Sequence, residues 1–264
     1  MTEVDLVDAH CHLDELERRG MAVERALSLA HAAGVHQMVT SADSLAEGFA
    51  GLELAERHPE VYFTPGWHPS NGRAPTAAEL GELRQLLRHP RAVALGEVGL
   101  DYSTRGGEPS GSHEMQREVF GAMLELAAEA DKPVVIHQRA AQDDLLAVLD
   151  QAPPVRGMLH CFSGDAGFAA AAVSRGLMCS FAGNVTFRSA TDLQQAVVVV
   201  PAEQLLIETD APFLAPQPHR GALCHPALVA VTAAFVAVRR GVCLETLAKA
   251  TAGAARGFFR LPPA

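Results

Sequence analysis

Eight short runs of β-branched and apolar residues recur at fairly even spacing along the chain, and amphipathic stretches separate most of them. The runs are 5–9, 37–40, 61–65, 92–95, 133–136, 157–159, 177–182 and 205–208. Helical patterns lie at 22–33, 45–57, 113–130, 143–150 and 167–175, and 226–259 reads as helical throughout. Helix stops are legible at Gly34, His58-Pro59, His89-Pro90 and Gly176. Strands alternating with helices imply parallel βαβ units. At 264 residues the chain has the length of one α/β barrel. The expected fold is therefore α/β, a single (β/α)8 TIM-type barrel, possibly distorted, as one domain over 1–264. An open doubly wound sheet is the alternative. One long Gly/Ser/Pro-rich loop is expected at 103–112, after the fourth strand.

Metal-competent side chains gather at the ends of these runs. His10 and His12 close the first, and a spacing of two places both imidazoles on one side of an extended chain. Glu97 follows the fourth run, His137 the fifth, His160 the sixth and Asp210 the eighth. Barrel enzymes draw catalytic residues from the C-terminal ends of several strands. Taken singly, each has an ordinary reading: a hydrogen-bonded core histidine, a buried ion pair at Glu97, a turn at Asp210 before Ala211-Pro212. Taken jointly, they point to metal. Six ligands exceed what one catalytic ion with an open position needs, so two divalent ions (Mg2+, Mn2+ or Zn2+) are expected, with Glu97 as the natural bridge.

Two such ions can clamp the attacking and leaving oxygens of a phosphoryl transfer and activate water. Asp210 is expected to ligate one ion and hold that water. His68, in Gly66-Trp67-His68-Pro69, is placed to contact a phosphate, the alternative being a turn cap. Arg139 is a candidate for a substrate oxygen or a structural salt bridge.

Several motifs resemble the TatD-type metal-dependent deoxyribonuclease family. They are Asp8-Ala9-His10-Cys11-His12-Leu13-Asp14, Gly66-Trp67-His68-Pro69 and the stretch from Gly96 to Tyr102. Further along come Lys132 to His137 with Arg139, Ala141 and Asp144, then His160 to Gly164, Ser180 to Phe187 and Leu206 to Pro212. The resemblance implies a distorted (β/α)8 barrel of the wider metallohydrolase superfamily. It implies His10, His12, Glu97 and Asp210 around one ion, and Glu97, His137 and His160 around the second. It also implies phosphodiester hydrolysis in DNA, often 3′→5′ on single strands, with His68 touching the substrate. Ala222 stands where the family usually has Lys, and Cys224 where it has Asn. Cys224 is either an inert thiol or an extra soft ligand. Trp67 replaces a smaller aliphatic residue and either stacks on a base or packs the rim.

Charge narrows the alternatives. Lys+Arg number 21 against 31 Asp+Glu, a net charge of −10, which excludes a passive nucleic-acid coat and predicts weak duplex binding without metal. Local positive charge then falls to Arg139, Arg188 and Arg220. A related hydrolase of ester or amide bonds, such as those of aminoacyl-tRNA, is the second enzyme reading. Barrel enzymes of that kind often bridge their ions with a modified lysine after strand four. Here Glu97 stands there, and Lys132 and Lys249 are the only lysines. A non-catalytic binding protein would have lost ligands, and all six are present. Five scattered cysteines suit a reducing compartment, no stretch has the length of a membrane span, and no basic leader is seen, so a cytoplasmic enzyme with a DNA substrate and no obligate protein partner is expected.

Overall fold

The computed structural model describes residues 4–103 and 111–264. In chain order the strands are β1 (Leu6–Cys11), β2 (Val35–Ser41), β3 (Val61–Thr64), β4 (Leu95–Asp101), β5 (Val134–Arg139), β6 (Gly157–Leu159), β7 (Met178–Phe181) and β8 (Leu205–Ile207). The helices are α1 (Leu13–Arg18), α2 (Val23–Ala32), α3 (Leu45–Arg57), α4 (Ala77–Leu87), α5 (His113–Glu129), α6 (Gln142–Gln151), α7 (Ala166–Ser174), α8 (Thr191–Val199), α9 (Val229–Arg240) and α10 (Leu244–Phe259). Contacts group into two compact units, one of residues 1–40 with 160–264, the other of 41–159.

In the first unit β1 runs parallel to β2, with Val7 opposite Gln37 and Asp8 opposite Met38. Parallel β7 and β8 pair Ser180 with Leu206. All six residues of β1 are buried, as expected of a strand covered on both faces. Phe162, Phe168 and Phe181 pack at ring separations of 5.3–5.5 Å. Burying such a side chain stabilises the fold by about 1.5–3 kcal/mol. The end of β1 is tied to the chain beyond β8: His12 N–H donates to Ala211 O (2.7 Å), and Asp210 N–H to His10 O (3.0 Å). Those two bonds set the histidines beside Asp210.

In the second unit β4, β5 and β6 are parallel, with Gly99 opposite His137 and Ile136 opposite Leu159. Phe63 of β3 bridges to Ala92 and packs with Ala55 and Leu86. Helix α4 opens on a capping box in which Thr76 Oγ1 accepts from Glu79 N–H and the Glu79 carboxylate accepts from Thr76 N–H.

The structure moves several sequence-based boundaries. The fourth strand is 95–101 rather than 92–95, so Glu97 lies inside it, and β5 runs on to Arg139, so His137 is also within a strand. Gly96 and Gly99 lie inside this strand, where glycine marks close backbone approach. At Gly99, with φ +145°, a Cβ would stand 2.0 Å from His137 O. The 226–259 segment, expected to supply an eighth helix and a C-terminal one, forms two helices. It breaks at Gly241, whose φ of +67° ends α9 before α10 begins. Helices α1, α4 and α8 lie in stretches where no helix was expected. Of the expected 103–112 loop, residues 104–110 lie outside the described residues.

Candidate metal centre

Alternation along β1 sends Asp8, His10 and His12 to one side, and all three are buried. Asp8 Oδ1 accepts from Thr209 N–H (2.8 Å), and its Oδ2 accepts from Thr209 Oγ1–H (2.5 Å), which staples the end of β8 to β1. Burial pushes the Asp8 carboxyl up to about 8, against the pull of the Thr209 hydrogen bonds. His10 Nε2 and His12 Nε2 lie 3.2 Å apart, and both approach Asp210 Oδ1, at 3.7 and 3.6 Å. The His10 ring stacks on His160 with centroids 4.1 Å apart. Burial alone would raise Asp210. The hydrogen bond from His12 and the charges of His10 and His160 outweigh it and hold the carboxyl below its ordinary value. Asp210 is thus an ionised oxygen donor facing imidazole nitrogens. His160 Nδ1 lies 3.7 Å from Glu208 Oε1, which also accepts from Cys161 N–H (2.6 Å).

Glu97, His137 and His68 meet in the second unit. His137 Nδ1 is 3.3 Å from Glu97 Oε2, while its Nε2 is 3.1 Å from Asp101 Oδ2. Burial would raise Asp101, but hydrogen bonds from His137 and Ser103 hold it far below the usual carboxylate range. An ionised Asp101 accepts a hydrogen bond from Nε2–H, so Nδ1 turns its lone pair toward Glu97, which is how a carboxylate prepares a histidine for a metal. His68 is wired the other way. Its Nδ1 accepts from Ser70 N–H (3.0 Å), which puts the neutral ring's proton on Nε2, 3.9 Å from Glu97 Oε2.

Two sets of donors therefore converge, His10 with His160 and Asp210, and His68 with Glu97 and His137, the atoms of each set within 4.8 Å of one another. Histidine and carboxylate in such sets suit a divalent cation of the zinc or manganese kind. With its Nε2 protonated, His68 is better equipped to donate to an anion than to ligate.

The TatD related DNase family model matches residues 7–260. The chain belongs to that family. A Mycobacterium tuberculosis relative, an uncharacterised metal-dependent hydrolase TatD, is 42% identical over 84% of this chain and 85% of its own length. A Salmonella typhimurium relative described as a 3′-5′ ssDNA/RNA exonuclease TatD is 36% identical over 71% of this chain and 72% of its own. The crystal structure of YJJV, a TatD homologue from Escherichia coli k12, superposes with a TM-score of 0.90 at 28% identity, covering 99% of this chain and all (100%) of that one. The TatD chain is thus a metal-dependent hydrolase of the α/β TIM-barrel metallohydrolase fold, as its motifs and strand–helix alternation imply.

The remaining sequence candidates of this TatD protein divide by exposure. Trp67 is 3% exposed, its Nε1–H donates to Arg73 O (2.9 Å), and the Arg73 guanidinium covers its ring at 4.8 Å. That is a packed indole. Arg139 is exposed at the end of β5, in register with Asp101. Cys224 is buried, its thiol 3.8 Å from Thr209 O, and burial raises its pKa well above the ordinary value, so it is held protonated as an inert thiol would be. Lys132 Nζ donates to Ala92 O, so it is tied to the backbone ahead of β4.

Three buried or half-buried carboxylates were not singled out as site residues from the sequence: Asp101 and Glu208, which face His137 and His160, and Asp8, which ties β1 to Thr209. A signal existed for two of them. Asp8 continues the alternation of His10 and His12, and Glu208 stands two before Asp210. Asp101 had none, because its role depends on β4 running to its full length.

Proposed function

We propose that this TatD-family hydrolase is a 3′→5′ exonuclease acting on single-stranded DNA, and that His10, His12, Glu97, His137, His160 and Asp210 hold two divalent ions. The observation that carries the reading is the convergence of His10, His12, His160 and ionised Asp210 in a buried cluster. The exonuclease description of the Salmonella typhimurium relative supports the substrate. Divalent ions held there would supply Lewis acidity toward a water and a phosphodiester oxygen. Asp210 accepts the proton released by the attacking water. In the second unit Nε2–H of His68 donates to a phosphodiester oxygen, and Asp101 keeps His137 in its donating tautomer. The match over 7–260 supports treating the chain as one hydrolase domain. Five free thiols support a reducing, cytoplasmic setting. Among the described residues no single helix is long and apolar enough to cross a membrane.

Single strands labelled at the 3′ or the 5′ end, incubated with Mg2+, Mn2+ or Zn2+ and with chelator, test the proposal. Shortening from the 3′ end that needs metal, and that falls at least about 100-fold in Asp210→Asn, is expected. A protein that holds two ions and leaves every strand intact would overturn it and make ester substrates the next to try.

A further inference from the structure

Phe213 is 40% exposed, although a phenylalanine gains by burial. It stands three residues beyond Asp210, in the loop after β8. Two backbone features hold it there. Asp210 and Leu214 on either side adopt left-handed conformations (φ +54° and +52°) that non-glycine residues disfavour, and Phe213 N–H donates to Asp210 O at 2.8 Å. The turn that aims the Asp210 carboxylate thus also fixes the ring. The ring meets the candidate ligand His12 edge-to-face, with centroids 6.1 Å apart and an interplanar angle of 75°. The Arg19 guanidinium lies over it, 4.7 Å from its centroid. In the same unit a second pair, Arg220 over Phe187 at 4.4 Å, joins the loops after β7 and β8.

An aromatic ring held open to solvent beside a phosphodiester-cleaving centre, with a guanidinium on it, has the composition of a stacking position for a single-stranded base. Every base offers a π-face, and arginine adds cation–π attraction and charge for the backbone. We propose that Phe213, seated between His12 and Arg19, is the platform on which the terminal base of a single-stranded substrate stacks. This rests on the exonuclease reading and deepens it: the platform recognises an unpaired base of any identity.

The test uses a short single strand whose 3′-terminal base is the fluorescent 2-aminopurine and whose phosphorothioate linkages resist cleavage, titrated with the metal-loaded protein. Stacking quenches that fluorescence. Wild type and Phe213→Trp quench, while Phe213→Leu, which keeps an apolar side chain of similar bulk, loses the quenching and binds about tenfold more weakly. On a cleavable strand with metal, the Leu variant raises KM about tenfold at nearly constant kcat, and the difference vanishes on a strand with an abasic 3′ end. Quenching that depends on Phe213 in a protein that cuts no strand would sink the nuclease reading and support the platform. Unchanged quenching and KM in a Leu variant that cleaves would sink the platform alone.

Discussion

His68 and His137 lie with ring centroids 4.3 Å apart and both approach Glu97, yet their hydrogen bonds give them opposite protons. Ser70 N–H donates to Nδ1 of His68, and Nε2–H of His137 donates to Asp101. One ring is left with an N–H toward Glu97 and the other with a lone pair toward it. Asp101→Asn should therefore weaken metal binding about 10- to 100-fold without unfolding the chain, because an amide no longer selects the Nδ1 lone pair. Competition against a chromophoric chelator, with circular dichroism as the check on folding, reads this directly. Unchanged affinity would remove Asp101 from the role. His68→Ala should spare metal content and lower turnover, and loss of an ion in that variant would make His68 a ligand instead.

At the scale of elements, caps and glycines decide the outcome. Thr76→Ala should cost about 1 kcal/mol of stability, because it frees an N–H in the first turn of α4, and urea unfolding would measure it. Glu79 completes the same box. Hydrogen bonds from Arg73, then from Thr76, lower its carboxyl to about 2. A lowered carboxylate stabilises the fold above its unfolded value of about 4.3 and loses that contribution as pH falls toward 2. The Thr76→Ala deficit should therefore shrink in acid, and a deficit that grew there would refute the cap. The Ser/Thr-x-x-Glu signature stands at Thr76–Glu79, in a stretch where no helix was expected. In β4 the expected run ended at 95, whereas Gly96 and Gly99 lie inside the strand at points of close backbone approach.

For the whole molecule the net charge of −10 sets the conditions of function, since an acidic chain must draw its affinity for phosphates from bound cations and a few arginines. Ions that bind the folded chain and not the unfolded one raise stability by RT ln(1 + [L]/Kd), about 2.7 kcal/mol at a hundredfold excess over Kd. Thermal unfolding should shift upward with Mn2+ or Zn2+ and fall with chelator. His10→Ala should blunt the shift, and one as large as wild type would deny His10 a ligand role. The shift should also fade below about pH 6.5, where protonated imidazoles give up the metal.

Periodicity and composition determined the α/β class, the strand–helix alternation and the family, because a period of two or 3.6 and a motif such as Asp8-Ala9-His10-Cys11-His12 are local properties of the chain. They also placed the metal-competent residues near strand ends, although Glu97 and His137 proved to lie within strands. Tertiary structure alone decided which proton each histidine carries, which carboxylates orient them and which aromatic stays in water. Asp101 reaches His137 only because β4 and β5 pair in register, and Asp8 meets Thr209 across 201 positions of sequence. Of the two readings left open for Trp67, stacking on a base or packing the rim, its burial favours packing. Trp67 and Phe213 each carry a guanidinium, but the indole is buried with its Nε1–H spent on Arg73 O, whereas the turn at Asp210 leaves the phenylalanine 40% exposed. Burial and backbone strain of that kind arise from the packed chain, which no local window of sequence contains.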